Sequence, residues 1–437
     1  MKKSLLAVAA IGAFASAAQA QSSVTVYGIL DVGYIGSNSA QQASNTALTP
    51  NYATNSSYPN ATLKSTNSFL GQSAEQTSRL GFKGNEDLGG GKSAFFTIET
   101  GLTPNSTNFT AVNNRQSFVG LKQNGLGQFA IGTQYTPIHV AMSKTDAGGQ
   151  NNMIGSVIYT GNADSGTALF TTATNAASSA YQSRASNAIT LDSEIVAGFQ
   201  GHAMAVLNNS NSTTINTTTA GSTANVSSGG NTNTNGWGLG LDYTWNKLFV
   251  TANYMALKQL TTATNYTSGG TTTAVAGTTN TGAWALWTGA QAATNVQDNT
   301  MYAALTYDFG ILKAYANYIN RKATDTANTS YSQKRTAQEI GVRSYVTPTV
   351  EAWATAGMGS FTPYGNNQDS AKFNAWQLGS NYWLSKRTNL YAIYGQFAQS
   401  TATYRAQTAA QVTAGTSTSG VYSANQNSYA VGVRHTF

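Results

Sequence analysis

The stretch SYAVGVRHTF, residues 428–437, alternates apolar with small or polar side chains at every second position. Tyr429, Val431, Val433 and Phe437 share one phase of this alternation. A period of two is typical of a β-strand with one apolar face. Aromatic residues at both ends of the apolar face are the pattern of a strand that crosses a lipid bilayer, because aromatic girdles lie at both interfaces. The stretch therefore predicts a membrane-spanning strand.

The same period of two recurs along the sequence. It is clearest in GWGLGLDYTW (236–245) and NTMYAALTYDF (299–309), and it is present in SSVTVYGILDVGYIG (22–36). After residue 20 no apolar segment approaches the roughly 20 residues that a membrane helix needs. The pattern predicts an all-β protein.

The composition agrees with a wall that has one apolar and one polar face. Only 9% of the residues are charged, and the sequence has 43 Gly, 23 Tyr and no Cys. Disulfide bonds are therefore excluded, and the composition does not suit an ordinary soluble enzyme of this size. The basic residues are scattered along the sequence, which argues against nucleic-acid binding.

Residues 1–20, MKKSLLAVAAIGAFASAAQA, have the layout of a secretory signal peptide: two lysines, a short apolar run and a small-residue cleavage site. We expect the mature protein to start at Gln21 and residues 21–437 to form one domain. Without Lys2 and Lys3, 21 basic and 16 acidic residues remain, a net charge of about +5.

Short turns and long polar segments alternate along the sequence. Seven short turns and eight long segments predict sixteen antiparallel strands, with all the short turns on one side of the membrane. The short turns lie at 85–91, 123–127, 192–196, 245–247, 308–310, 347–349 and 384–387, and the long segments at about 37–78, 101–114, 136–186, 208–235, 259–298, 322–335, 361–373 and 398–427.

A spanning sheet must close on itself, because unpaired backbone groups are too costly in hydrocarbon. We therefore expect the strand near residues 22–36 to pair with the strand near residues 428–437. The predicted fold class is a transmembrane β-barrel of sixteen strands, and such a ring is too wide for side chains to fill.

Four segments of the sequence resemble one protein family. Together they are similar to the Gram-negative general diffusion porins of the trimeric, sixteen-stranded type. The four segments are SSVTVYGILDVGY (22–34), SRLGFKGNEDLGGGKSAFFTIE (78–99), RQSFVGLKQNGLGQFAIGTQYTP (115–137) and YAVGVRHTF (429–437). Thr133 departs from that pattern, because the family commonly has Arg at this position.

The resemblance implies a passive, water-filled channel for small hydrophilic solutes and ions in the outer membrane of a Gram-negative bacterium. It also implies a homotrimer and a third long loop, residues 136–186, that folds inward to form a constriction. A terminal Phe437 on such a strand resembles the signal that the outer-membrane barrel assembly machinery reads, with Tyr429, Val431 and Val433 on the same face.

Strand phase predicts which charges face the lumen. Arg79 and Lys83 alternate with Leu80 and Phe82, which take the lipid side. By the same reasoning Asp31 and Glu99 point inward, since an Arg or Lys that faces lipid at mid-bilayer costs about 2–4 kcal/mol and acids also avoid that face. Each of these residues is either a pore residue or a solvated charge of the wall.

Four further residues are candidates for the constriction. The phase of Arg115 leaves two possibilities, a β-bulge that turns it inward or a side chain that snorkels at the outer rim. Arg184 lies where the third loop rejoins the wall, and Asp146 and Asp164 are the acids of that loop. Further basic residues near the short-turn end are Lys313, Arg343 and Arg434.

The charge balance predicts a mild preference for anions. We expect no catalytic, cofactor or metal site, because His139, His202 and His435 are scattered and have no triad or paired-ligand spacing. Two alternatives stay open at this point: a solute-specific channel, which one solute would block saturably, and a surface adhesin or structural barrel with a plugged lumen.

Overall fold

The computed structural model describes most of the chain. The residues that it describes are 23–43, 62–107, 113–159, 181–218, 225–263, 265–268, 271–274, 295–326, 329–406 and 418–437. The predicted signal peptide lies outside this set. Within these ranges no helix is long and apolar enough to span a membrane.

The described residues form nineteen strands and one short helix, α1 (Pro137–Thr145). The strands are β1 (Ser23–Ala43), β2 (Thr62–Gln72), β3 (Arg79–Gly89), β4 (Lys92–Gly101), β5 (Asn113–Gln123), β6 (Gly127–Tyr135), β7 (Arg184–Ser193), β8 (Phe199–Thr218), β9 (Asn225–Trp245), β10 (Leu248–Ala263), β11 (Asn265–Ser268), β12 (Thr271–Ala274), β13 (Val296–Asp308), β14 (Lys313–Asp325), β15 (Ser332–Tyr345), β16 (Val350–Gly365), β17 (Ala371–Trp383), β18 (Thr388–Ala406) and β19 (Thr418–Thr436).

Seventeen of these strands form one antiparallel sheet that closes into a ring, and β11 and β12 form a separate hairpin. The ring has sixteen positions, because β2 and β3 together occupy one. Val32 of β1 pairs with Gln72 of β2, and Ile29 of β1 pairs with Arg79 of β3. The predicted sixteen-stranded antiparallel barrel is confirmed.

The ring closes between β1 and β19, as predicted. Leu30 lies opposite His435, and the register continues without a shift to the pair of Ala43 and Tyr422. At the short-turn end the Gly28 nitrogen donates to the Phe437 oxygen at 3.2 Å, and the Phe437 nitrogen donates to the Gly28 oxygen at 3.1 Å. A Cβ at Gly28 would overlap the Phe437 ring, so the ring packs directly on this glycine.

Apolar side chains cover the outer face of the barrel. Leu239 and Leu241 on β9 are exposed, as are Tyr429 and Val431 on β19. On the opposite phase of β9, Asp242 is buried inside the barrel. The period of two in the sequence is therefore the division between an outer apolar surface and an inner polar one.

The connections that were predicted to be short contain two to five residues between the strands that they join. The predicted extent of the long segments was wrong: β1 continues to Ala43, β8 to Thr218, and β9 begins at Asn225. The sequence of these extensions lacks the alternation of apolar and polar residues. The apolar alternation that marks a strand appears only where one face meets lipid, so a polar strand beyond it resembles a loop.

A segment inside the barrel packs against the inner face of the wall and forms a buried apolar cluster with it. After β6 the chain enters α1, where Thr136 is the N-cap and accepts from the His139 nitrogen at 3.3 Å. Ile138 and Met142 of α1 are fully buried and belong to the same apolar cluster as Met255 of the wall. The interior is therefore partly filled along one side of the ring.

The contact between Phe437 and Gly28 leads to a test of ring closure. Phe437→Ala removes the ring that packs on Gly28, so the fraction refolded in detergent should fall to roughly half or less, because a large apolar contact at the seam is lost. Folded barrel is measured as the heat-modifiable band on unheated gels. Phe309→Ala is the control, since Phe309 is an exposed rim aromatic. An equal loss in both variants would contradict a special role for the seam.

Candidate constriction site

The inner loop, defined here as residues 136–159, is held against the wall at several points. At its start, Lys144 Nζ of α1 lies 2.6 Å from Asp242 Oδ2. Asp242 also lies 3.3 Å from His202 Nε2, and His202 Nδ1 lies 2.7 Å from Asp192 Oδ1. The Lys144 charge is therefore paired with the wall carboxylate of Asp242.

Strand β15 holds the middle and the end of the inner loop. The Val157 nitrogen donates to Glu339 Oε2 at 2.7 Å, and Arg335 Nη2 donates to the Val157 oxygen at 2.5 Å. Glu339 and Arg335 are buried wall residues. Arg343 Nη1 adds a bond to the Ala147 oxygen at 2.9 Å.

On the far side the inner loop packs on β17 and β18. Asn151 Nδ2 donates to Gln377 Oε1 at 2.6 Å. A Cβ at Gly395 would overlap the Ile154 oxygen, so the loop backbone occupies the space that a side chain would need. The inner loop therefore lies along one half of the wall, and open space remains toward β3–β7.

A cavity of about 260 Å³ lies between the inner loop and the opposite wall. We call it the eyelet. No Asp or Glu is among the described residues that line it, which are Ile29, Gln76, Thr77, Arg79, Arg115, Tyr135, His139, Val140, Ser143, Gln150, Tyr159, Ser183 and Arg184. Arginine is the only charged residue type among these described lining residues.

The arginines of the eyelet are held by wall residues around Glu99. Arg115 Nε lies 2.6 Å from Glu99 Oε1, and Arg115 Nη2 donates to the Tyr135 hydroxyl at 2.7 Å. Arg79 Nη1 lies 3.9 Å from the same Glu99 oxygen. Tyr27 donates its hydroxyl to the other Glu99 oxygen at 3.1 Å. Glu99 is buried behind these groups, so one carboxylate faces two guanidinium groups.

Arg115 points inward because of a β-bulge. Glu99 pairs with Gln116 and Thr100 with Asn114, so Arg115 is an extra residue in β5 at this register shift. The bulge reverses the phase of the strand below and above it. The structure thus adopts the first of the two possibilities that the phase left open.

Within the described part of the loop, no charged residue lines the eyelet near the arginines. The His139 ring stacks on Tyr135 with 4.2 Å between ring centroids, and its Nδ1 lies 3.1 Å from the Tyr181 hydroxyl. Burial, together with the nearby positive charges of the eyelet arginines, lowers the pKa of His139 to about 3. His139 is therefore neutral at physiological pH.

Asp31 and Asp146, two of the acids that were candidates for the constriction, lie elsewhere. Asp146 is buried and accepts from the Gly148 nitrogen at 3.0 Å and the Gln150 nitrogen at 2.5 Å, so it closes a turn of the inner loop. Asp31 is fully buried and accepts from the Tyr391 hydroxyl at 2.7 Å. Asp164 lies outside the described residues. Neither Asp31 nor Asp146 lines the eyelet.

The remaining basic residues lie toward the short-turn end. Lys83 Nζ is 5.5 Å from the centroid of the Tyr27 ring. Arg343 Nε lies 2.6 Å from Glu351 Oε1, and Arg434 Nη1 lies 3.3 Å from Glu75 Oε1. Arg343 and Arg434 are therefore paired with acids.

The sequence patterns did not identify Tyr135, Gln150 or Glu75 as site residues. Tyr135 has the inward phase of β6, which could have identified it. Glu75 lies in a polar segment that has no periodicity, so no local signal was present. Among the described residues, no group of three or more His, Asp or Glu side chains could hold a metal ion.

Comparisons with known proteins agree on one family. The family model described as Gram-negative porin matches residues 7–402. An outer membrane porin protein of Bordetella pertussis is 36% identical over 139 residues, which cover 31% of this chain and 34% of that protein. Outer membrane porin protein 32 of Delftia acidovorans is 35% identical over 149 residues, covering 33% of this chain and 35% of that protein. The matched segments thus span about a third of the length of these curated relatives.

Solved structures share the fold. The anion-selective porin from Comamonas acidovorans has a TM-score of 0.55 at 20% identity, covering 95% of this chain and 100% of that one. OmpT, an outer membrane protein of Vibrio cholerae, has a TM-score of 0.55 at 14% identity, covering 95% of this chain and 98% of that one.

The contact between Gly395 and Ile154 gives a test of the inner loop's position. Gly395→Ala places a methyl group where the loop backbone lies, so the loop should move off the wall and trypsin should cleave after Lys144 faster, by roughly threefold or more, since less protected segments open more often. Gly201→Ala is the matched control, because its Cβ would meet only Ser193 Oγ, at 3.7 Å. Equal cleavage rates in the two variants would contradict the described packing.

Proposed function

The chain belongs to the Gram-negative porin family and is an outer-membrane β-barrel, and we propose that it forms a passive, water-filled channel for small hydrophilic solutes and ions. The observation that carries this proposal is the eyelet, a polar cavity between the inner loop and the arginine-bearing wall. A sixteen-position ring leaves room for water, and the inner loop narrows this space without filling the side near β3–β7.

The charges of the eyelet support a preference for anions. Among the described residues, Arg79, Arg115 and Arg184 line it, and Arg79 and Arg115 share one acid, Glu99, so this pair of arginines contributes an excess positive charge. A confined polar passage with low-dielectric walls focuses the electric field of such a charge, which raises the local concentration of anions. The anion selectivity for which the Comamonas porin is named is a property of that protein, and the proposal for this chain depends on its own arginines.

We extend the proposal to assembly. OmpT of Vibrio cholerae is described in a trimer form, and we propose a homotrimer of this chain in which neighbouring copies meet through part of the exposed apolar residues of the outer wall. Phe437 and the outer-facing Tyr429, Val431 and Val433 of β19 are proposed as the segment that the barrel assembly machinery recognises.

The reversal potential across a planar bilayer tests the proposed function. With purified protein and a KCl gradient, the excess positive charge should shift the reversal potential from zero toward the equilibrium potential of chloride. A shift toward the equilibrium potential of potassium would contradict anion preference. The absence of any conductance would contradict an open channel.

Neutralising the eyelet should reverse this preference. In Arg79→Gln combined with Arg184→Gln, the ratio of chloride to potassium permeability should fall on the order of threefold or more, because two of the focusing charges are gone. Lys334→Gln is the control, since Lys334 is exposed on the outward phase of β15. An unchanged ratio in the double variant would show that these arginines do not determine selectivity.

Removing the acid should act in the opposite direction. Glu99→Gln keeps the shape of the side chain and leaves Arg79 and Arg115 without their shared carboxylate, so the chloride preference should increase by roughly twofold. The same reversal-potential measurement checks it. A decrease would mean that Glu99 acts mainly by holding Arg115 in the eyelet.

A further inference from the structure

Residues 73–78 leave the wall between β2 and β3 and turn into the lumen. We call this segment the inward turn. It begins at Ser73, a non-glycine residue with a φ of 61°, and it is closed by a bond of 2.9 Å from the Ser78 nitrogen to Ser73 Oγ. A left-handed φ at a serine persists only where the surrounding structure holds it.

The inward turn is fixed to β1 by Asp31. The Ser73 nitrogen donates to the Asp31 oxygen at 2.9 Å, and the Asp31 nitrogen donates to Ser78 Oγ at 3.0 Å. The Asp31 carboxylate accepts from the nitrogens of Glu75 and Gln76, at 2.8 and 2.6 Å. The backbone of β1 therefore stays paired across the gap, and the turn has one defined position.

Glu75 fixes the inward turn to strands on the other side of the seam. Its carboxylate accepts from Asn381 Nδ2 at 2.8 Å and from Asn389 Nδ2 at 2.9 Å, and Arg434 lies 3.3 Å away. Glu75 is buried. Its charge is thus compensated locally and does not offset the positive charge of the eyelet.

Asn152 connects the inner loop to the inward turn. Its backbone nitrogen donates to the Ala74 oxygen at 3.0 Å. Its side-chain Nδ2 donates to the Ser73 oxygen at 2.7 Å and to Thr77 Oγ1 at 3.1 Å. Asn152 is buried, so these bonds are shielded from water and costly to lose.

The inward turn also contacts an arginine of the eyelet. Arg79 Nε donates to the Thr77 oxygen at 3.0 Å, and Gln76 and Thr77 themselves line the eyelet. The same short segment therefore touches the wall, the inner loop and the guanidinium group of Arg79.

We propose that the inward turn is a clamp that positions the eyelet, with Asn152 and Thr77 as its positioning residues. The clamp holds the inner loop at a set distance from Arg79 and aims the Arg79 guanidinium into the passage. Asn152 and Thr77 are uncharged, and they affect ion selectivity by fixing the position of Arg79. This inference rests on the proposed channel function.

Asn152→Ala tests the clamp in single-channel recordings. It removes both side-chain bonds to the inward turn, so the inner loop and Arg79 should become mobile. Open-channel current noise should rise and the ratio of chloride to potassium permeability should fall, each on the order of twofold, because a mobile charge in a wider passage focuses ions less.

A second pair of variants separates positioning from folding. Thr77→Val removes the hydroxyl that accepts from Asn152 and nearly preserves the side-chain shape, so it should shift both quantities in the same direction as Asn152→Ala. Thr77→Ser keeps the hydroxyl and should restore the parent values. The control is Asn299→Ala, because Asn299 is on the outward phase of β13 and its side chain accepts from Gln297 Nε2 at 2.9 Å on the same strand.

The outcomes distinguish this inference from the proposed function. If the parent protein shows no anion-selective conductance, the proposed function fails. If the parent is anion-selective and Asn152→Ala and Thr77→Val keep its noise and permeability ratio, the clamp is overturned. An equal effect of Thr77→Ser and Thr77→Val also overturns it, because the hydroxyl would then have no part.

Discussion

The requirement that every backbone N–H and C=O be paired within hydrocarbon governs this structure. It makes the sheet close, and the closure falls on β1, which pairs with β19 on one side and with β2 and β3 on the other. The wall can be interrupted only where another group replaces the missing partner. Between β2 and β3 the Ser73 nitrogen donates to the backbone oxygen of Asp31, and the Ser78 hydroxyl accepts from the backbone nitrogen of Asp31. A segment therefore enters the lumen without leaving the backbone of β1 unpaired.

A closed wall with an apolar outside concentrates the charged residues inside, where each needs a partner. Most find one at short range: Arg321 lies 2.5 Å from Asp298, Arg343 2.6 Å from Glu351, and Glu339 bonds the backbone of the inner loop. These pairs leave their regions of the lumen close to neutral. The eyelet differs because Glu99 is shared by two arginines and the ring of His139 on the loop side is neutral. The anion selectivity that we propose would therefore depend on a local imbalance of charge in the eyelet rather than on the net charge of the chain.

The sequence predicts the wall well and the interior only in part. The alternation in residues 236–245 and the regular exchange of short turns and long segments specify the strands, because lipid imposes a period of two on any strand that crosses it. Phase also places Arg79 and Glu99 inside. The phase of Arg115 could not be decided, because the β-bulge at Arg115 in β5 has no signature in the local pattern. Asp31 has the inward phase, but its burial depends on Glu75 and Tyr391, which are distant in sequence and meet it only in the closed ring.

Anomalous diffraction from crystals soaked in rubidium bromide tests the central claim, that three arginines and an uncharged stretch of the inner loop make the eyelet attract anions. Bromide and rubidium are distinguished by their absorption edges, so both ions can be located in one crystal. The account predicts a bromide peak within the eyelet near Arg79 and Arg184, and no rubidium there. A rubidium peak in the eyelet with bromide absent would contradict it.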